Sequence, residues 1–201
     1  MNNLGDVVGN SDPPGDSGQH PFLWHDGNIT DLGTFGGTVG NANWINDSGW
    51  VVGDANFPGD AIHRAALWRD GRMKELGVVG SDKCSTAWSV NSKGQIVGAS
   101  GDCGIAVHAF LWENGHMIDL TSLIRPGIEL TYALTINDAG EIAAIGRVPG
   151  GGDTGLQHAF LLIPTDENGS AESDTAAPNK SETEKRNIRD FRFPGGRTPK
   201  E

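Results

Sequence analysis

Long apolar runs are missing from this chain. None approaches the ~18 residues that a membrane-spanning helix needs, so no segment reads as a span. Positive charge is scarce. Fifteen Lys and Arg stand against 26 Asp and Glu, a formal charge of −11, which argues against nucleic acid or an anionic membrane as partner. Sustained helical periodicity is missing, which disfavours bundles and helical repeats. The opening Met1-Asn2-Asn3-Leu4-Gly5 has neither a basic nor an apolar leader region, so no signal peptide is read in the chain as written. Catalytic signatures are missing too. There is no Gly-x-Ser-x-Gly elbow, and Gly150-Gly151-Gly152-Asp153-Thr154-Gly155 lacks the Gly-Lys-Ser/Thr of a phosphate loop. The Asn-Asp-x-Gly turns lack the acidic spacing of a calcium loop. The expectation is therefore no catalytic residue, no cofactor and no metal.

Glycine, by contrast, is abundant at 30 of 201 residues, and the length suffices for one domain with a real core. The glycines are periodic. Trp24, Trp68 and Trp112 recur at 44-residue intervals, and Asp26-Gly27, Asp70-Gly71 and Asn114-Gly115 follow them. Such dipeptides between apolar runs signal a two-residue hairpin turn, because both central residues of a type I′ turn need positive φ. The turn sets the register. It predicts Trp24 opposite Ile29, Trp68 opposite Met73 and Trp112 opposite Met117. One diagonal further, His20 approaches Asp31, Arg64 approaches Glu75, and His108 approaches Asp119. The exchange of His/Asp for Arg/Glu in the second unit preserves the pairing, so these six residues read as structural pairs that pin each hairpin. His20, His108 and His158 occupy one strand position in separate units, which works against converging on a metal.

A second hairpin recurs around Ile45-Asn46-Asp47-Ser48-Gly49, Val90-Asn91-Ser92-Lys93-Gly94 and Ile136-Asn137-Asp138-Ala139-Gly140. Asn, Asp and Ser initiate such turns, and the closing Gly supplies a left-handed residue. Each unit then holds four strands. In the third they are placed near 95–100, 108–112, 117–120 and 132–136. Four strands per 40-odd residues predict an all-β, β-propeller-like array of four-stranded blades, about three and a half repeats over residues 1–164. Three and a half repeats imply an irregular small closed ring, an upstream extension, or self-association of two chains that complete one ring, and an upstream extension is the preferred account.

The bulged turn at Asn91 places Cys84 opposite Asp102 and Cys103, within reach of a cross-hairpin disulfide; free thiols are the alternative in a reducing cytosol. Trp44, Trp50 and Trp88 fall outside the repeat and are expected in the core. Residues 165–201 turn polar and charge-split, acidic and then basic, and read as a disordered charged tail.

The repeated phrases resemble the bacterial extracellular HAF-repeat family. Its tripeptide stands at His108-Ala109-Phe110 and His158-Ala159-Phe160, and its Asp-Leu-Gly-Thr-x-Gly-Gly phrase stands at Asp31-Leu32-Gly33-Thr34-Phe35-Gly36-Gly37. The resemblance covers residues 2–163. Departures are Pro21 for Ala, Arg64-Ala65-Ala66 for the tripeptide, and Leu120-Thr121-Ser122-Leu123 in the third unit. The resemblance implies an extracellular or cell-surface location and transfers no activity. The leading functional expectation is a non-enzymatic interaction scaffold whose partner is a protein or a polysaccharide. One alternative is a carbohydrate-binding or carbohydrate-active propeller. Another is an N-terminally truncated fragment with no independent function.

Overall fold

A computed structural model describes residues 1–13, 15, 18–148 and 156–165, and the backbone of 187–191. Among these residues, fifteen strands form four antiparallel sheets that follow one another along the chain. Sheet I holds β1 (Val7–Ser11), β2 (His20–His25) and β3 (Asn28–Asp31). Sheet II holds β4 (Gly40–Ile45), β5 (Val51–Asn56), β6 (His63–Arg69) and β7 (Arg72–Glu75). Sheet III holds β8 (Cys84–Val90), β9 (Ile96–Asp102), β10 (Ile105–Glu113) and β11 (His116–Asp119). Sheet IV holds β12 (Glu129–Ile136), β13 (Ile142–Arg147), β14 (His158–Thr165) and β15 (Asn187–Phe191). A 3₁₀ turn, Leu120–Leu123, is the sole helical element among the described residues. The all-β expectation holds.

The hairpin turns follow from their residues. Asp26 and Gly27 have φ of 45° and 80°, Asp70 and Gly71 52° and 69°, Asn114 and Gly115 53° and 88°. Both central residues are left-handed, as a type I′ turn demands. Trp24 lies opposite Ile29, Trp68 opposite Met73, and Trp112 opposite Met117.

The grouping of strands differs from the sequence expectation. Residues 132–136 belong to β12, which pairs with β13 as the first strand of sheet IV, and not with sheet III. The Asn-Asp-x-Gly hairpin ties that strand forward, and a tight antiparallel turn outweighs the longer connection behind it. The fourth strand of sheet IV comes from farther along still. Within residues 165–201, Thr165 ends β14 and Asn187–Phe191 pairs with it as β15. The rest of that expected tail lies outside the described residues.

One asparagine per sheet binds the array together. Asn2 donates from Nδ2 to the Asn46 carbonyl at 3.2 Å, Asn46 to the Asn91 carbonyl at 2.9 Å, and Asn91 to the Asn137 carbonyl at 3.0 Å. The opposite atom, Oδ1, caps each residue's own turn. Asn46 Oδ1 accepts from the Ser48 and Trp50 amides at 3.0 Å each, and Asn91 Oδ1 from those of Lys93 and Gln95 at 3.0 Å each. Asn carries an acceptor and a donor on separate atoms of one short side chain, so one residue closes the turn and reaches the next sheet.

The apolar core is divided in three, each part lying between successive sheets. Val8, Leu23 and Leu32 of sheet I meet Val51, Ala66 and Trp68 of sheet II. Val52, Leu67 and Leu76 of sheet II meet Ile96, Phe110 and Trp112 of sheet III. Val97, Leu111 and Leu120 of sheet III meet Ile142, Phe160 and Leu162 of sheet IV. Glycine on the second strand of a sheet admits this packing. A Cβ on Gly98 would run into the Thr86 carbonyl and come within 2.6 Å of the Phe110 ring.

Candidate functional site

The first strands of sheets II, III and IV each carry a β-bulge. The register shifts between Ala42 and Trp44, between Ala87 and Ser89, and between Ala133 and Thr135. A bulge turns its extra residue out of the alternating pattern. The consequence corrects an expectation. Trp44 is 46% exposed and Trp88, the bulged residue of β8, is 36% exposed, so neither is core. Trp50 is half-buried.

Trp88 lines a cavity of about 160 Å³ with His63, Thr86, Asp102, Ile105 and Tyr132, and Cys84 forms part of its wall. That volume is below the ~300–1,000 Å³ usual for drug-sized ligands, so it fits one small group or the end of a longer chain. Cys84 and Cys103 are joined in a disulfide with Cα atoms 5.0 Å apart. Cys84 stands opposite Gly101, and Cys103 lies in the turn between β9 and β10. The sulfurs and His63 form a close grouping of metal-ligand types, but both sulfurs are bonded to each other.

Behind this wall lies an acid that the sequence reading passed over. Asp54 is buried on β5 within an otherwise apolar run. Asn10 donates to Asn41 Oδ1 at 3.0 Å, and Asn41 donates to Asp54 Oδ2 at 3.0 Å. Burial pushes the Asp54 carboxyl above its ordinary range, and this outweighs the Asn41 amide, the charge of His63 and the Thr86 hydroxyl. The signal in the sequence was an acid inside Val51-Val52-Gly53-Asp54-Ala55.

A second groove, of about 510 Å³, separates hairpin β6–β7 from Trp112 and includes Trp50, Arg69, Arg72 and Lys74. Its aromatic faces are already covered. The Arg69 guanidinium lies 4.2 Å from the Trp50 ring centroid, and Lys74 Nζ lies 4.7 Å from that of Trp112. Such contacts stabilise by about 0.5–1 kcal/mol when exposed. A ligand stacking there would displace a cation, whereas Trp44 and Trp88 offer more open surface.

The paired residues predicted from the repeat stand as follows. His20 Nδ1 is 2.9 Å from Asp31 Oδ2, and Arg64 Nε is 3.3 Å from Glu75 Oε1. Burial would raise the Asp31 carboxyl, yet the His20 ring and the Gly33 amide hold it below its ordinary range. The third pair is different. His108 Nδ1 meets Asp82 Oδ2 at 2.9 Å, and Asp119 instead accepts the Thr121 amide at 2.8 Å as cap of the 3₁₀ turn. The Leu120-Thr121-Ser122-Leu123 departure creates that turn and engages Asp119, while Asp82 also accepts from Ser100 at 2.7 Å. These pairs belong to three different sheets and do not converge. One more pair was missed: His25 Nδ1 lies 2.5 Å from Asp6 Oδ1. The Asp6 hydrogen bond, followed by the charges of Asp6 and Asp26, raises the His25 ring above its ordinary value. Asp6 is lowered by His25 and then by Asn2.

No protein-family model, curated protein or solved structure matches the chain.

Proposed function

We propose that this chain is a non-catalytic, propeller-like repeat domain of the bacterial extracellular HAF-repeat type, exported or held at the cell surface, and that it acts as an interaction scaffold. One observation carries the reading. The polar side chains that recur, Asn2, Asn46, Asn91 and Asn137 above all, are engaged in joining sheets and closing turns. Repetition therefore marks construction, and it leaves no recurrent group for chemistry. The Cys84–Cys103 disulfide supports an oxidising compartment. Fractionation of the source cells tests the location. Oxidised chain in the medium or open to added protease at the surface supports the reading; reduced chain confined to the cytoplasm overturns it. Turnover of any polysaccharide by the purified chain would overturn the non-catalytic part.

A second reading, carbohydrate binding, is favoured by one observation: Trp88 and Tyr132 share a cavity with His63 and Asp102. Aromatic faces beside polar groups suit a sugar ring. Fluorescence titration with a panel of polysaccharides tests it. Binding that Trp88→Ala abolishes supports this reading, and a panel without response rejects it.

A further inference from the structure

At each internal junction the later sheet turns one strand face towards the other face of the earlier sheet. Between sheets I and II and between sheets II and III the later face bears Trp68 or Trp112 and meets a Val/Leu face, and between sheets III and IV Leu162 takes the Trp position. Trp68 is 4% exposed in such a junction, and its Nε1 donates to the Leu32 carbonyl at 2.8 Å. Sheet I bears the same Trp face, and among the described residues no sheet packs on it. Trp24 occupies the position of Trp68 and Trp112 in the hairpin register, and Ile29 that of Met73 and Met117. Trp24 is 38% exposed and Ile29 72% exposed. Sheet IV presents the complementary surface. Ile142 and Leu162 are buried against sheet III, so the alternating residues Ala143 and Leu161, which pair across the strands, turn the other way and are only partly buried.

The asparagine ladder has the same polarity. Each Nδ2 reaches the carbonyl of the following sheet, and the series stops at Asn137, whose Nδ2 donates to Glu141 Oε2 at 2.6 Å. At the other end, the Asn2 carbonyl accepts its own turn amide, from Gly5 at 3.3 Å, and among the described residues no Asn side chain donates to it.

We propose that copies of this chain associate head to tail, sheet IV of one copy packing on the Trp24 face of sheet I of the next. The occupant is specified by the internal junctions, which show what covers each face when a neighbour is present. Asn137 of one copy then reaches the Asn2 carbonyl of the second copy, continuing the ladder. The contact is heterologous, so two copies whose ends meet twice form a closed pair, and otherwise the array grows. The proposal stands independently of any ligand bound at Trp88.

Sedimentation equilibrium on the full chain tests it, with Trp24→Asp and Leu161→Asp as variants. The natural chain is expected to self-associate with rising concentration, and each variant to lose that association. Mixing the two variants is the decisive step. One carries an intact sheet IV face and the other an intact sheet I face, so the mixture should form a one-to-one heterodimer although neither variant self-associates. Ile29→Asp and Ala143→Asp serve as the second pair if either variant fails to fold, as read by near-ultraviolet circular dichroism. A natural chain that remains monomeric at its solubility limit overturns the proposal. So does a mixture of folded variants that does not associate.

Discussion

The side-chain amide of Asn46 donates to the main-chain carbonyl of Asn91 across the boundary between sheets II and III, at 2.9 Å and out of contact with solvent. Removing it should uncouple the sheets as well as open the turn. Asn46→Ala leaves the Ser48 and Trp50 amides and the Asn91 carbonyl without this partner, and we expect a loss of about 2–4 kcal/mol by urea unfolding, at ~1–3 kcal/mol per buried group left unmade. Asn46→Asp keeps both acceptors for the turn but has no donor. A destabilisation close to that of the Ala variant would locate the effect in the bridge; a near-neutral Asp variant would locate it in the turn.

Asp54 sets a pH dependence of unusual sign. Its folded carboxyl sits above the ordinary range because of burial, so the folded state binds its proton more tightly than the unfolded state. Stability from this group is greatest at low pH and declines from about pH 4 upward until the raised folded value is passed. Asp54→Asn, which can still accept from Asn41, should therefore melt higher than the natural chain at neutral pH, and the gap should shrink in acid. A gap independent of pH would refute this.

His25 and Asp6 have opposite shifts. The raised ring contributes stability below its unfolded value near 6.5, lost as pH rises through the folded value. The lowered carboxyl contributes above 3.8, lost as pH falls through its folded value. The pair therefore acts in the window between the two folded values. Proton resonance of the imidazole should titrate above the ordinary range and return towards it in Asp6→Asn.

The Cys84–Cys103 bridge closes a sequence separation of 19, for which chain entropy gives roughly 3 kcal/mol. Cys84 is buried and Cys103 exposed, so a small reductant has access from one side. The Cys84→Ser/Cys103→Ser double variant should lose about 2–4 kcal/mol by chemical unfolding while keeping the far-ultraviolet signature of strands.

Gly98→Ala should be among the most damaging single methyl additions. Backbone on one side and the Phe110 ring on the other leave no direction for relief, and overpacking of this kind costs about 1–3 kcal/mol or more. Phe110→Leu, which removes the ring but not the carbonyl, should rescue it only in part. Thermal melts of the single and double variants give the comparison.

Local chemistry was legible in the sequence and competition between distant groups was not. Asp26-Gly27 and its two counterparts dictate their turns with no help from the rest of the chain, and the register of Trp24, Trp68 and Trp112 follows. His108 was misassigned because Asp82, 26 residues away, arrives from a loop whose path no periodicity encodes. Trp44 and Trp88 were misjudged because a bulge shifts the alternation on which inside and outside are read. The asparagines were seen, but only as turn formers. Their spacing matched the repeat, and the second role of Nδ2 needed the neighbouring sheet in place. Residues 132–136 were assigned to the third unit and pair instead in sheet IV, since a strand between two connections pairs wherever the shorter turn takes it.

Because the apolar interior is parcelled out between successive sheets, with no cluster among the described residues shared by all four, the molecule's resistance to opening is graded along its length. Among the described residues, sheets II and III are clasped from both sides and sheets I and IV from one, so amide exchange should be faster in sheets I and IV than in the middle pair. A blow to an outer layer is then absorbed there, and the inner layers survive as a smaller folded body.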